Sequence, residues 1–309
     1  MRSCPLRPET VFPSPNPLSE GESRALASPL IDSVYSFGAF IGQGFGNLFS
    51  VGTRRTEAAT DFCGRFNLGI SLFDFLCDEE GGRQMESLQD MPALAPFTGQ
   101  VRSSNRSGPV QNYLNRMVES VLADVSQQFG RPTGAGRRQA SWRTLFSMFD
   151  GEVQRTRSGL RGPVDVAALK GMLRLSSAEP FRFMSEWTAL TGALSVPSVR
   201  KAAFLGRRVG DCYWLIDDAK DVWDDLHAGR WNYFLLAAKA AQPQLSFAQA
   251  SPLLEARLLD IWRSNRIAEK SCRSMIGGMA RAIDRVTAMD PRSRTFVRRL
   301  HASMLRWYG

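Results

Sequence analysis

The chain of 309 residues is 43% hydrophobic and 22% charged, ordinary for a globular protein and long enough for one large domain or two modest ones. Its five cysteines form an odd set with no C-x-x-C, which excludes a disulfide framework and a zinc ribbon and fits a reducing cytoplasm, and its two histidines exclude a multi-histidine centre. The net charge of +9 suits nucleic acid or an anionic substrate equally, while the lack of any Gly-Lys pair removes a Walker A loop.

Residues 1–29 hold five prolines before Ser19 and no apolar core, so they read as a disordered leader rather than a secretory signal. Residues 33–53 carry no charge, but their glycines, Gln43 and Asn47 leave only about half of them apolar where a membrane span needs roughly 20 mainly apolar residues. A buried helix or helix pair softened by glycine is expected there. The following residues read as helical throughout. Tyr113, Met117, Val121 and Val125 form one apolar stripe, and Trp142, Leu145, Phe146 and Phe149 form another. Polar loops fall at 98–109 and 131–140, with shorter breaks at 160–163 and 195–197. A further stripe runs from Phe204 through Val209 and Cys212 to Ile216. Leu258, Leu259, Ile261 and Trp262 open another helix, and Phe296, Leu300 and Met304 mark the last. No alternation of period two stands out, so residues 30–309 are expected to form one all-α domain.

In this basic chain the acids are concentrated. Residues 211–225, DCYWLIDDAKDVWDD, hold six of the 30 acids. Asp217, Asp221 and Asp225 are spaced at i, i+4 and i+8 and share a helix face with Asp218 close by. Like charges so stacked weaken a helix unless a cation binds them, and several carboxylates on one face suit a hard divalent ion such as Mg²⁺, which shares oxygen ligands with substrate phosphates. A solvated acidic helix end is the plain alternative. The second cluster lies at 71–82, SLFDFLCDEEGG, where Asp74 and Asp78 are at i, i+4 with Glu79 and Glu80 beyond. Asp74 sits among Leu72, Phe73, Phe75 and Leu76, and a carboxylate with such neighbours needs a partner.

The stretch GRRVGDCYWLIDDAKDVWDDLHAGRWNYFLL resembles the second aspartate-rich motif of trans-isoprenyl diphosphate synthases and related class I terpene synthases. Asp217, Asp218 and Asp221 stand at its D-D-x-x-D, and Gly229-Arg230 stands where that family has Gly-Lys. Asp74 to Asp78, D-F-L-C-D, is similar to a reduced first aspartate motif. ALKGMLRL resembles the family's lysine-threonine helix, with Lys170 in the lysine position and Gly171 replacing threonine; Lys201 is a second, lower-ranked choice. The terminal Arg306-Trp307-Tyr308 resembles an arginine-tyrosine element of terpene synthases.

The resemblance implies a single-domain, class I isoprenoid synthase-type helical bundle with a central active-site cavity. It implies Mg²⁺, about three ions by the family pattern, held by Asp74, Asp78, Glu79, Asp217, Asp218, Asp221 and Asp225. Asp74, Asp78, Asp217 and Asp221 are then the catalytic carboxylates, and Lys170, Arg230, Arg306 and Tyr308 the diphosphate-binding residues. Phe73, Phe75, Tyr213 and Trp214 would line a cavity that shields a carbocation, core packing being the plain reading of each. The implied substrate is a prenyl diphosphate, with a homodimer as the family's common assembly and with neither nucleic acid nor a membrane span. Two departures bear on the reaction. Gly52-Thr53-Arg54-Arg55 is a poor match to the G-K-x-x-R-P of chain-elongating synthases, and no Arg-Arg follows Asp78. Loss of a second diphosphate site favours a terpene synthase, a carbon–oxygen lyase that ionises one allylic diphosphate. The alternatives are a chain-elongating or condensing prenyltransferase, and a non-catalytic helical binding protein.

Overall fold

The computed structural model describes residues 29–79 and 165–287, together with 120, 121, 123–125, 127, 147, 148, 151, 159 and 160. Among these every regular element is helical and none is a strand, as the all-α expectation requires. Eight helices can be followed end to end: α1 Pro29–Leu48, α2 Thr53–Glu79, α3 Val166–Ser177, α4 Glu179–Thr191, α5 Val196–Ala228, α6 Tyr233–Ala241, α7 Pro252–Asn265 and α8 Ile267–Thr287. The leader up to residue 28, the loops at 98–109 and 131–140, most of the stripes at 113–125 and 142–149, and the terminal helix around 296–304 lie outside the described residues. The chain divides into two compact units, Met1–Phe146 with Trp187–Ser195, and Ser147–Glu186 with Val196–Gly309.

In the first unit the uncharged segment forms α1, and its glycines explain what it packs against. A Cβ on Gly38 would lie 2.3 Å from the Cys63 carbonyl oxygen, and one on Gly42 would lie 2.3 Å from that of Ala59. The backbones of α1 and α2 therefore touch where any side chain would hold them apart. The reverse fit occurs at Gly64, where the Tyr35 ring occupies the space a Cβ would need. Among the described residues no helix is long and apolar enough to cross a membrane. The inner face of α2 carries Phe62 and Phe66, and Phe62 stacks on Trp187 with ring centroids 3.9 Å apart. On its other side Arg65 joins Asp61 at 2.9 Å and Asp124 at 2.5 Å, and Tyr35 donates to Asp61 at 3.2 Å. Burial works against the Arg65 charge, but the two carboxylates outweigh it and hold the guanidinium above its ordinary value.

In the second unit α3 begins at the cap Asp165, whose side chain accepts from the Ala167 and Ala168 amides. Helix α4 follows after the single residue Ala178. Helix α5 runs antiparallel to this pair. Gly210 meets Ala178, Gly206 meets Phe181 and Ser185, and the Ser185 hydroxyl donates to the Ala202 carbonyl at 2.7 Å. Glu179, buried at the start of α4, is paired with Arg182 and with Arg207 at 2.5 Å. Asp211, also buried, takes Arg174 at 3.2 Å and Arg208 at 3.1 Å. The apolar core of this unit gathers Leu169 and Leu173 of α3, Trp214, Leu215 and Val222 of α5, and Leu258 and Ile261 of α7.

Gly42→Ala tests the α1–α2 contact. Alanine favours an isolated helix by about 1 kcal/mol, but overpacking costs roughly 1–3 kcal/mol, and here the obstacle is backbone. Urea unfolding followed by circular dichroism should show a net loss of stability with helix content kept. A variant as stable as the wild type would contradict the close contact.

Candidate active site on helix α5

The acidic run occupies the C-terminal half of α5. The helix spans 33 residues and runs on to Ala228, so all six aspartates stand within it, Asp225 in its last turn. Burial then divides the residues expected to bind metal. Asp217 and Asp221, one turn apart, are exposed, Asp218 is half-buried, and Asp225 is buried at 6% exposure.

The division follows from how the chain leaves the helix. Gly229, at φ +72°, takes the left-handed conformation that ends helices and that glycine adopts without a Cβ penalty. The chain then doubles back. The Arg230 amide donates to the Asp225 carbonyl at 2.8 Å, and the Arg230 Nε lies 3.0 Å from Asp225 Oδ1 as an ion pair. Asn232, fully buried, donates from Nδ2 to Asp225 Oδ2 and to the Asp218 carbonyl, both at 3.1 Å. Its Oδ1 accepts from the Phe234 and Leu235 amides and so caps α6. The Tyr233 amide donates to Asp218 Oδ2 at 2.5 Å, and its hydroxyl pairs with Ser271 of α8 at 2.6 Å. Asn232 was not among the residues expected from sequence. The signal for it was its place just beyond a glycine and just before an apolar run, the pattern of a helix cap.

Lys170 is exposed on α3. Lys201, the other choice, is exposed near the start of α5. Arg230 is about one-third exposed. Of the residues expected to line a cavity, Trp214 is buried in the core of the second unit in a T-shaped contact with Tyr233, and Tyr213 stacks on Phe181 at 5.1 Å. Burial first, and the neighbouring Cys212 second, push the Tyr213 phenol up from its ordinary 10.0 to about 12.

In the first unit Asp74 is half-buried near the end of α2. The side chains of Phe73, Phe75, Asp78 and Glu79, and Arg306 and Tyr308 altogether, lie outside the described residues. Among the described residues no three His, Cys, Asp or Glu side chains converge on one point that would hold a metal ion. Arg55, in the segment compared with the G-K-x-x-R-P pattern, donates from Nη1 to the Gly192 carbonyl at 3.0 Å, beyond the end of α4.

No family model matches the chain, and no curated protein matches its sequence. Solved structures do match. Octaprenyl pyrophosphate synthase from Helicobacter pylori aligns over 90% of this chain and 93% of its own, with a TM-score of 0.56 at 12% identity. Geranylgeranyl pyrophosphate synthetase from the archaeon Geoglobus acetivorans aligns over 87% and 84%, with a TM-score of 0.61 at 11% identity. Farnesyl diphosphate synthase from T. brucei aligns over 87% and 86%, with a TM-score of 0.55 at 12% identity. The chain has the all-α fold of these isoprenyl diphosphate synthases.

The buried phenol and thiol make stability fall with alkali. Tyr213 and Cys63 are each raised to about 12 by burial, from 10.0 and 9.0. A group raised in the folded state stabilises it below its unfolded value and ceases to as pH passes the folded one. The unfolding midpoint should therefore drop between pH 9 and pH 12, and Tyr213→Phe should flatten the part above pH 10. An equally steep fall in that variant would show that Tyr213 is not responsible.

Proposed function

We propose that this chain acts on prenyl diphosphates as a chain-elongating trans-prenyltransferase of the isoprenyl diphosphate synthase kind. The observation that carries the reading is a fold shared over about nine-tenths of the chain with octaprenyl pyrophosphate synthase, combined with D-D-x-x-D at Asp217 to Asp221 on an exposed helix face. In such a reaction the allylic carbon–oxygen bond breaks, diphosphate leaves with the electron pair, and the double bond of isopentenyl diphosphate attacks the allylic carbon and then loses a proton.

The donor set fits Mg²⁺. Asp217 and Asp221 offer hard carboxylate oxygens one turn apart on exposed residues, the kind of donor by which Mg²⁺ is commonly held. Asp74, and Asp78 with it, are the proposed ligands from the first cluster. When bound, Mg²⁺ supplies Lewis-acid stabilisation of the charge growing on the leaving diphosphate. Lys170 and Arg230 add fixed positive charge to the same end, preorganised for that charge; Arg306 and Tyr308 are proposed with them. Tyr213, one turn before Asp217, is proposed to present its ring to the reacting prenyl chain, where an aromatic face attracts a developing cation.

One observation favours a second reading, the terpene synthase. Arg55 is engaged with the Gly192 carbonyl, and no Arg-Arg follows Asp78, so the basic residues that would hold a second diphosphate are scarce. The experiment that tests both is incubation with Mg²⁺ and geranyl, farnesyl or geranylgeranyl diphosphate, each with and without isopentenyl diphosphate, with mass spectrometry of the products. A longer prenyl diphosphate formed only with isopentenyl diphosphate is the expected result. A hydrocarbon or alcohol from the allylic substrate alone would replace it with the terpene synthase reading, and no product in any mixture would sink both. Asp217→Ala and Asp74→Ala should each reduce turnover at least about 100-fold with the helical spectrum unchanged; full activity in either refutes that residue's role.

A further inference from the structure

The acidic face of α5 contains one carboxylate that does not behave like its neighbours. Asp225 is i+4 from Asp221 and i+8 from Asp217, the spacing of a third metal ligand. Yet it is 6% exposed while the other two are exposed to solvent; its Oδ1 is ion-paired with the Arg230 guanidinium and its Oδ2 accepts a hydrogen bond from Asn232 Nδ2. Asn232 is equally committed. Both its N–H groups donate and its oxygen accepts twice, which uses its full capacity and leaves its amide one orientation. Asp225 can therefore only accept from it.

We infer that Asp225 is a positioning residue, not a metal ligand. Its buried charge draws residues 229–233 back onto α5, orients Arg230, and through Asn232 and the Tyr233 amide fixes Asp218, while Asp217 and Asp221 stay exposed. This rests on the reading that Asp217 and Asp221 meet a metal-bound diphosphate. The Asp225–Asn232 pair is one carboxylate facing one amide, and it can be exchanged. Asp225→Asn sets two amides against each other or turns an amide donor toward Arg230. Asn232→Asp sets two carboxylates together. The double variant D225N/N232D restores one donor and one acceptor between the two side chains, keeps a side chain able to cap α6, and moves the negative charge away from the α5 face, at the cost of the bond to the Asp218 carbonyl.

The test uses the full-length protein, steady-state diphosphate release, and Mn²⁺ as a metal probe titrated by electron paramagnetic resonance. Partners behind metal ligands commonly contribute 10–100-fold in affinity or activity. Each single variant should lose about that much in kcat and in Mn²⁺ affinity, and the double variant should recover at least about tenfold over either one. A double variant no better than D225N in both readouts, while melting like the wild type, would mean that the carboxylate is required where it stands and would overturn the inference. Should a single variant fail to fold, the double variant is compared with wild type directly. Mn²⁺ affinity within about tenfold of wild type sustains the inference and a loss beyond about 100-fold overturns it. Wild-type protein that neither binds Mn²⁺ nor turns over prenyl diphosphate defeats the proposed function and leaves Asp225 nothing to position. Wild-type protein that does both, with an unrescued double variant, defeats the inference alone.

Discussion

A carboxylate taken out of water keeps its charge only if polar partners replace the water, and the penalty for leaving it unpaired is several kcal/mol. Asp225 meets that condition through a turn it also shapes. The backbone of Arg230 returns to the Asp225 carbonyl, its side chain lies against one carboxylate oxygen, and the Asn232 amide takes the other. The end of α5, the start of α6 and the attitude of Asp218 thus hang on one buried charge. Hydrogen bonds that share partners in this way reinforce one another.

The periodicity of apolar residues made the helical class legible, because a stripe at 3.6-residue spacing is stabilised by burial on one side and by little else. The uncharged segment at 33–53 was legible as a packed helix for a related reason: glycines too frequent for a membrane span let α1 lie against the α2 backbone. The aspartates were legible as a group but not as individuals. Helical spacing puts Asp217, Asp221 and Asp225 on one face, and spacing knows nothing of the turn that covers the last of them. That cover comes from Asn232, seven residues on, through side-chain bonds that no periodicity encodes.

The extent of α5 was also hidden. Its aspartates look like the polar end of a buried helix, since the unbroken apolar run from Cys212 stops at Ile216 and closely spaced acids follow from Asp217. The helix nevertheless continues, because Val222 and Leu226 remain buried in the same apolar core as Trp231 and Phe234. A helix is amphipathic around its circumference, and a run of acids along the sequence does not by itself end it. The pairing of Glu179 with Arg207 and of Asp211 with Arg174 was equally invisible. It depends on residues brought together by a chain reversal rather than by spacing.

The seating of α5 on Ala178 through Gly210 has a mechanical consequence. From Gly210 to Asp221 is eleven residues, roughly 16 Å along a helix rising 1.5 Å per residue. The acidic end, itself seated through buried Val222 and Leu226, is therefore the long arm of a lever whose fulcrum is a backbone contact with no side chain to yield. A tilt of about 5° at the fulcrum would sweep Asp221 through more than about 1 Å, far beyond the few tenths of an ångström that metal–oxygen bonds tolerate. A methyl group added at Gly210, far from any chemistry, would act with the leverage of the whole arm.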